Sequence, residues 1–149
     1  MVEVLLHFTI PFAALLYFRK PKEAFIASII ALLPDFDVLL FVHRYVTHSV
    51  LVVLAIFTPI LLLVRKLKPK LLPLALMCLF AISTHLLLDL FQAPTPILWP
   101  LSLQSIEINA FGNIVISNQP SLAIDMGLDV EKTNFKPFTT LDAPIFTSE

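Results

Sequence analysis

The sequence predicts an all-α membrane protein, a bundle of about four transmembrane helices with a small β-hairpin or loop extension at its C-terminal end. Three observations predict it. The 149 residues are 58% hydrophobic and only 14% charged, where a soluble domain of this size carries about a quarter charged residues. The mean hydropathy is +0.89. Four apolar segments stand in series, Val4 to Phe18, Glu23 to Val42, Ser49 to Val64 and Leu71 to Phe91, and seven of the ten basic residues fall in just two of the connections between them.

The elements follow in order. The N-terminus has no basic stretch and no small-residue cleavage site, so the first apolar run reads as a mature helix rather than a signal peptide. A spanning helix needs about 20 apolar residues. The second and fourth segments meet that length, and the first and third are short. Pro11, Pro59 and Pro73 lie inside these segments or near their starts, which membrane helices tolerate when neighbours satisfy the freed carbonyls. Ala24 with Ser28 and Ala27 with Ala31 form small-xxx-small pairs on the second segment, a pattern that lets helix backbones approach closely. Cys78, the single cysteine, sits in an apolar run and reads as a packing residue. Arg19, Lys20 and Lys22 follow the first segment, and Arg65, Lys66, Lys68 and Lys70 follow the third. In a four-span topology both connections share one side, which the positive-inside bias makes cytoplasmic.

Residues 1–100 thus read as a helical transmembrane domain and residues 101–149 as a polar extension. From Leu101 onward two lysines stand against six acids, a net charge of −4. Alternation over residues 105–117 around Gly112-Asn113 predicts the β-hairpin. The last residues, Phe146 to Glu149, resemble a helix N-cap. The chain lacks a basic patch interleaved with aromatics, so nucleic acid is not an expected partner. With two glycines in all and no Gly-x-Ser-x-Gly, covalent serine chemistry and a phosphate-binding glycine loop are disfavoured as well.

A charge in hydrocarbon costs about 2.5 to 3.5 kcal/mol on insertion scales and requires a reason. His7, Asp35, Asp37, His43, Arg44, His48, His85 and Asp89 are the candidates, and they include all four histidines. In an up-and-down bundle they all fall at the face opposite the basic connections. His85 and Asp89 are one helical turn apart and share a face, so they can meet one metal ion; a helix-end ion pair is the alternative. Pro34 disfavours helical geometry at Leu33, which would let Asp35 and Asp37 turn into a cavity. Two carboxylates so close repel unless a cation or shared proton intervenes. His43 and His48 offer imidazoles, the commonest protein metal ligands. Arg44 offers a planar fork for phosphate or carboxylate, or pairs with lipid headgroups. Thr47 and Ser49 could orient an imidazole or cap the third helix, and the cap is favoured for Ser49. His7 gains weight only from its position at the same face. Trp99 reads as an interfacial anchor.

An early histidine (His7), Leu-Leu-Pro-Asp-x-Asp (Leu32 to Asp37), His-Arg-x-x-Thr-His-Ser (His43 to Ser49), Thr-His-x-x-x-Asp (Thr84 to Asp89) and Pro-x-Leu-Trp-Pro (Pro96 to Pro100) occur in that order. In these blocks, about two thirds of the chain, the sequence resembles the family of membrane-bound, metal-dependent hydrolases, some bacterial members of which are described as LexA-regulated inner-membrane proteins. It departs at Tyr45, where the family often has Gly, and at Val38, where it often has a further His. A looser similarity to zinc-dependent phospholipase C implies a phosphoester substrate.

The expectation is a metal-dependent membrane hydrolase. His48, His85, Asp89 and Asp35 would be core ligands, with His7, His43 and Asp37 completing one or two ions. Zinc is the expected ion and manganese the alternative. Asp37 would serve as general base and Arg44 would hold the phosphate. A site at headgroup depth favours a lipid or lipid-linked phosphoester, with membrane lipid as its surroundings; the sequence names no protein partner. The alternative is a non-enzymatic metal-binding or metal-transporting membrane protein. The site is expected on the extracytoplasmic face of a multi-pass protein.

Overall fold

The computed structural model describes residues 2–40, 44, 46–115 and 121–133. Four α-helices form the first two thirds: α1 (Val2–Leu16), α2 (Pro21–Ile30), α3 (Val50–Leu67) and α4 (Leu72–Asp89). An antiparallel pair of strands follows, β1 (Gln104–Val115) and β2 (Ser121–Lys132). Among the described residues, two helical stretches are long and apolar enough to cross a membrane, Val50–Leu67 and Pro69–Asp89.

The second apolar segment is where the structure departs from the expected four-span bundle. It is not one helix from Glu23 to Val42. The α-helix stops at Ile30, and Leu33–Leu40 continue as a 3-10 helix. Pro34 has no N–H to donate and crowds the residue before it. The chain therefore tightens, with Leu32 N–H donating to Ile29 O and Asp35 N–H to Leu32 O. The third segment, expected to be short, reaches spanning length as α3, as does the fourth.

The short α2 is held by its small residues. Ala24, Ala27, Ser28 and Ala31 are completely buried, and α2 packs against both α1 and α4. Leu15, Met77 and Ala81 close this cluster, with Phe12 and Cys78 against it. Ser28 donates to Ala24 O at 2.9 Å and so hides its own hydroxyl in the helix. A second cluster, Val53, Ile82 and Leu86, joins α3 to α4.

Ser49 caps α3, accepting from Leu51 N–H at 3.2 Å. Its hydroxyl also donates to the carbonyls of Ile97 and Trp99, and Val50 N–H donates to Ile97 O at 3.0 Å. The segment after α4 is thus stitched onto the start of α3. Trp99 is half-buried there rather than freely exposed.

The hairpin is longer than expected and turns elsewhere. Gly112 and Asn113, expected at the turn, lie inside β1 opposite Ile124 and Ala123. The connection falls within residues 116–120, outside the described residues. The short-range signal misled because Gly112 and Asn113 meet the composition of a turn without being one. The terminal Phe146 to Glu149 also lie outside the described residues.

Candidate metal centre at the end of the bundle

Each site residue is placed by a local feature of its segment. His7 lies one turn before Pro11 in α1. Asp35 and Asp37 project from the 3-10 helix that Pro34 imposes. His48 closes a second short 3-10 turn, Val46–His48, next to the Ser49 cap. His85 and Asp89 occupy the last turns of α4. His7, His48, His85 and Asp89 are fully buried, and Asp37 is 3% exposed. Asp35 is the site carboxylate with solvent access, its side chain being 19% exposed. His43 lies outside the described residues.

Three donor atoms converge. Asp35 Oδ1 is 3.3 Å from His85 Nε2 and 3.5 Å from His48 Nε2, and the two ring nitrogens are 3.5 Å apart. Ligands of a tetrahedral zinc ion at ordinary bond lengths stand roughly 3.3 Å from one another. The triangle therefore has close to the edge lengths of one face of such a site. Asp89 Oδ2 adds a carboxylate oxygen 3.1 Å from His85 Nε2 and 3.4 Å from His48 Nε2. It has no aligned hydrogen-bond donor despite those short distances. A buried carboxylate oxygen without a donor is costly, and a cation among these atoms removes that cost.

His7 forms the other side. Its Nε2 is 3.8 Å from Asp89 Oδ1, its Nδ1 3.9 Å from Asp35 Oδ2, and its ring lies 4.0 Å from that of His85. His7, His85 and Asp89 form a second trio with metal-ligating spacing, beside Asp35, His48 and His85. Both trios use His85, so they describe one continuous centre and not two separated sites.

Asp37 stands behind this centre. Its Oδ2 is 3.2 Å from His48 Nδ1 and accepts from the Thr47 hydroxyl at 2.9 Å. Thr47 Oγ1 is also 3.1 Å from His48 Nδ1. A carboxylate on Nδ1 keeps the proton there and leaves the Nε2 lone pair pointing into the site. Burial opposes a charge on His48, but Asp35 and Asp37 outweigh it and hold the ring above its usual pKa.

Arg44 Nε and Nη2 each lie 3.4 Å from Asp89 Oδ1. Arg44 holds φ at 53°, a left-handed conformation uncommon for a residue with a side chain. Three carboxylates and one guanidinium leave two formal negative charges when the imidazoles are neutral, which suits a divalent cation. Imidazole with carboxylate is a donor set for zinc or manganese, so the residues present fit such an ion.

Gln92 was not anticipated. Its Nε2 is 3.5 Å from His7 Nε2, and its Oε1 is buried without a hydrogen-bond partner. The available signal was spacing, since Gln92 follows Asp89 by three residues and His85 by seven, on the same helical face.

The apolar helices and this buried cluster define a membrane protein whose polar end is able to hold a metal ion. Residues 4–128 match the family described as YdjM inner membrane protein, and the chain belongs to that family. Its membership is consistent with the LexA-regulated inner-membrane resemblance drawn above and supports a membrane location. No curated protein and no solved structure matches the chain.

Proposed function

We propose that this protein is a metal-dependent membrane hydrolase acting on a phosphoester, lipid or lipid-linked, at the polar end of its helices. The observation that carries the reading is the triangle of Asp35 Oδ1, His48 Nε2 and His85 Nε2, with edges of 3.3 to 3.5 Å. Asp35, His48, His85 and Asp89 would hold the ion, with His7 at its side. A divalent ion supplies Lewis acidity and lowers the pKa of water enough to make a nucleophile near neutral pH.

The chain's own residues divide the remaining work. Asp37 orients His48 through Nδ1. Asp37 lies outside the two ligand trios, so the general-base role expected of it stays with it, while Asp35 serves as a ligand. Arg44, beside Asp89, is positioned to oppose negative charge developing on a phosphoryl group. Its Asp89 contact also keeps that guanidinium at the site's edge before substrate arrives. The extracytoplasmic orientation rests on the basic residues of the two connections.

The test pairs metal analysis of the purified full chain with hydrolysis of a panel of lipid phosphoesters in mixed micelles. Metal in the wild type, with metal and hydrolysis lost together in His85→Ala, supports the reading. Metal retained in the double variant His85→Ala/Asp89→Ala sinks the site. Metal binding with uptake into proteoliposomes, and no hydrolysis, would favour a transporter.

A further inference from the structure

The hairpin is sorted by face from Ser105 to Gly112 and from Ile124 to Glu131. Register and alternation put Ile106, Ile108 and Ala110 on one face with Ile124, Met126, Leu128 and Val130. The other face carries Ser105, Glu107, Asn109 and Phe111 with Asp125, Gly127, Asp129 and Glu131. Four acids thus share one face, where Phe111 is the sole large apolar side chain between Ser105 and Phe111 and between Asp125 and Glu131. No charge interrupts the apolar face between Ile106 and Ala110 or between Ile124 and Val130.

That apolar face is open. Ile124 is 64% exposed, Met126 70%, Leu128 64% and Val130 49%. Ile106 and Ile108 are partly covered. Twelve residues per strand extend about 40 Å, and a two-stranded ribbon is at best marginally stable in water without a covering surface. Something must cover this face.

The root of the ribbon indicates what does. Ile108 N–H donates to Leu90 O at 2.6 Å, and Thr95 and Ile106 exchange backbone hydrogen bonds of 3.0 and 2.9 Å. The ribbon is therefore fastened to the chain just past the end of α4. Around that junction Leu87, Phe91, Leu98, Leu101 and Leu103 are exposed, continuing the apolar surface of a membrane-spanning helix. Charge sorting agrees, because anionic headgroups would repel the acidic face and leave the apolar one to enter the lipid.

We propose that the β1–β2 ribbon is a membrane-surface element, lying on the bilayer with Ile124, Met126, Leu128 and Val130 in the headgroup–acyl boundary and its acids toward water. The burial of these side chains anchors the segment that follows the metal-ligating turn of α4. This rests on the membrane location alone and is independent of any hydrolase activity.

The test uses the full chain in a Cys78→Ala background, reconstituted in vesicles of phosphatidylethanolamine and phosphatidylglycerol. Met126→Cys, Leu128→Cys, Asp125→Cys and Asp129→Cys, each at an exposed position, are labelled with a small fluorophore. Quenching by brominated acyl chains is compared with quenching by aqueous iodide. Lipid quenching several-fold stronger at positions 126 and 128 than at 125 and 129, with iodide showing the reverse order, supports the proposal. Equal access of either quencher to all four positions overturns it. Protection of 126 and 128 from both quenchers also overturns it, since a second copy or residues 134–149 would then be the cover.

Discussion

The Nε2 atoms of His48 and His85 face each other at 3.5 Å. The His48 ring is fixed by Asp37 at its opposite nitrogen, 3.2 Å away, so its Nε2 presents a lone pair. His85 Nε2 meets carboxylate oxygens of Asp35 and Asp89 on the same side, at 3.3 and 3.1 Å. Such a concentration of acceptors in a largely buried site is stable when a cation shares them, and three predictions follow from this pair.

The first concerns stoichiometry. Because both ligand trios pass through His85, the purified chain should carry one divalent ion rather than two. Inductively coupled plasma mass spectrometry on the detergent-solubilised protein measures this. Two ions per chain would require a second set of donors beyond the residues assigned here.

The second separates a ligand from its support. Asp37→Asn keeps a hydrogen-bonding group near His48 Nδ1 but removes the carboxylate that fixes the ring. Losing an outer partner of a ligating histidine typically costs about 10- to 100-fold in metal affinity. Asp35→Asn, which removes an oxygen from the converging triangle, should cost more. Competitive titration against a chelating dye ranks the two, and a larger loss for Asp37→Asn would reverse their roles.

The third is a pH dependence. His48 is raised above its usual value in the folded chain. Without metal, the proton on this ring stabilises the fold fully below the unfolded value, and that contribution is lost as pH rises through the folded one. Metal needs the neutral ring, so proton and ion compete. Apparent metal affinity should therefore fall as pH drops through the raised His48 value. Thermal shifts produced by added zinc, measured across pH, should shrink on the acid side. An affinity independent of pH would exclude His48 as a ligand.

The fourth tests the seam. Ala27 is fully buried between α2 and its neighbours. Ala27→Leu adds volume where there is none and should destabilise by about 1 to 3 kcal/mol. Ile29→Leu, at an exposed position of the same helix, should stay near neutral. Thermal unfolding in detergent compares them, and equal stability of both variants would mean that α2 is not tightly packed.

The sequence by itself singled out most of the polar residues that the fold brings together. Polar groups are costly in apolar segments, so His7, Asp35, Asp37, His85 and Asp89 stood out there, and Arg44 and His48 stood out in the connection at the same end of the bundle. The buried seam of Ala24, Ala27, Ser28 and Ala31 was equally legible, because small residues at helical spacing announce a close approach. Tertiary structure alone decided how the parts are used. Spacing cannot tell which ring nitrogen faces a neighbour, so only packing separates the converging Asp35 from Asp37 behind His48. Pro34 announced a loss of helical geometry at Leu33, but only the backbone showed that the α-helix already stops at Ile30 and that the chain continues as a 3-10 helix. Gly112-Asn113 has the composition of a turn, yet pairing across the ribbon carried it into the middle of a strand. Long-range partners select among local conformations of similar energy, and those partners are assembled only by the fold.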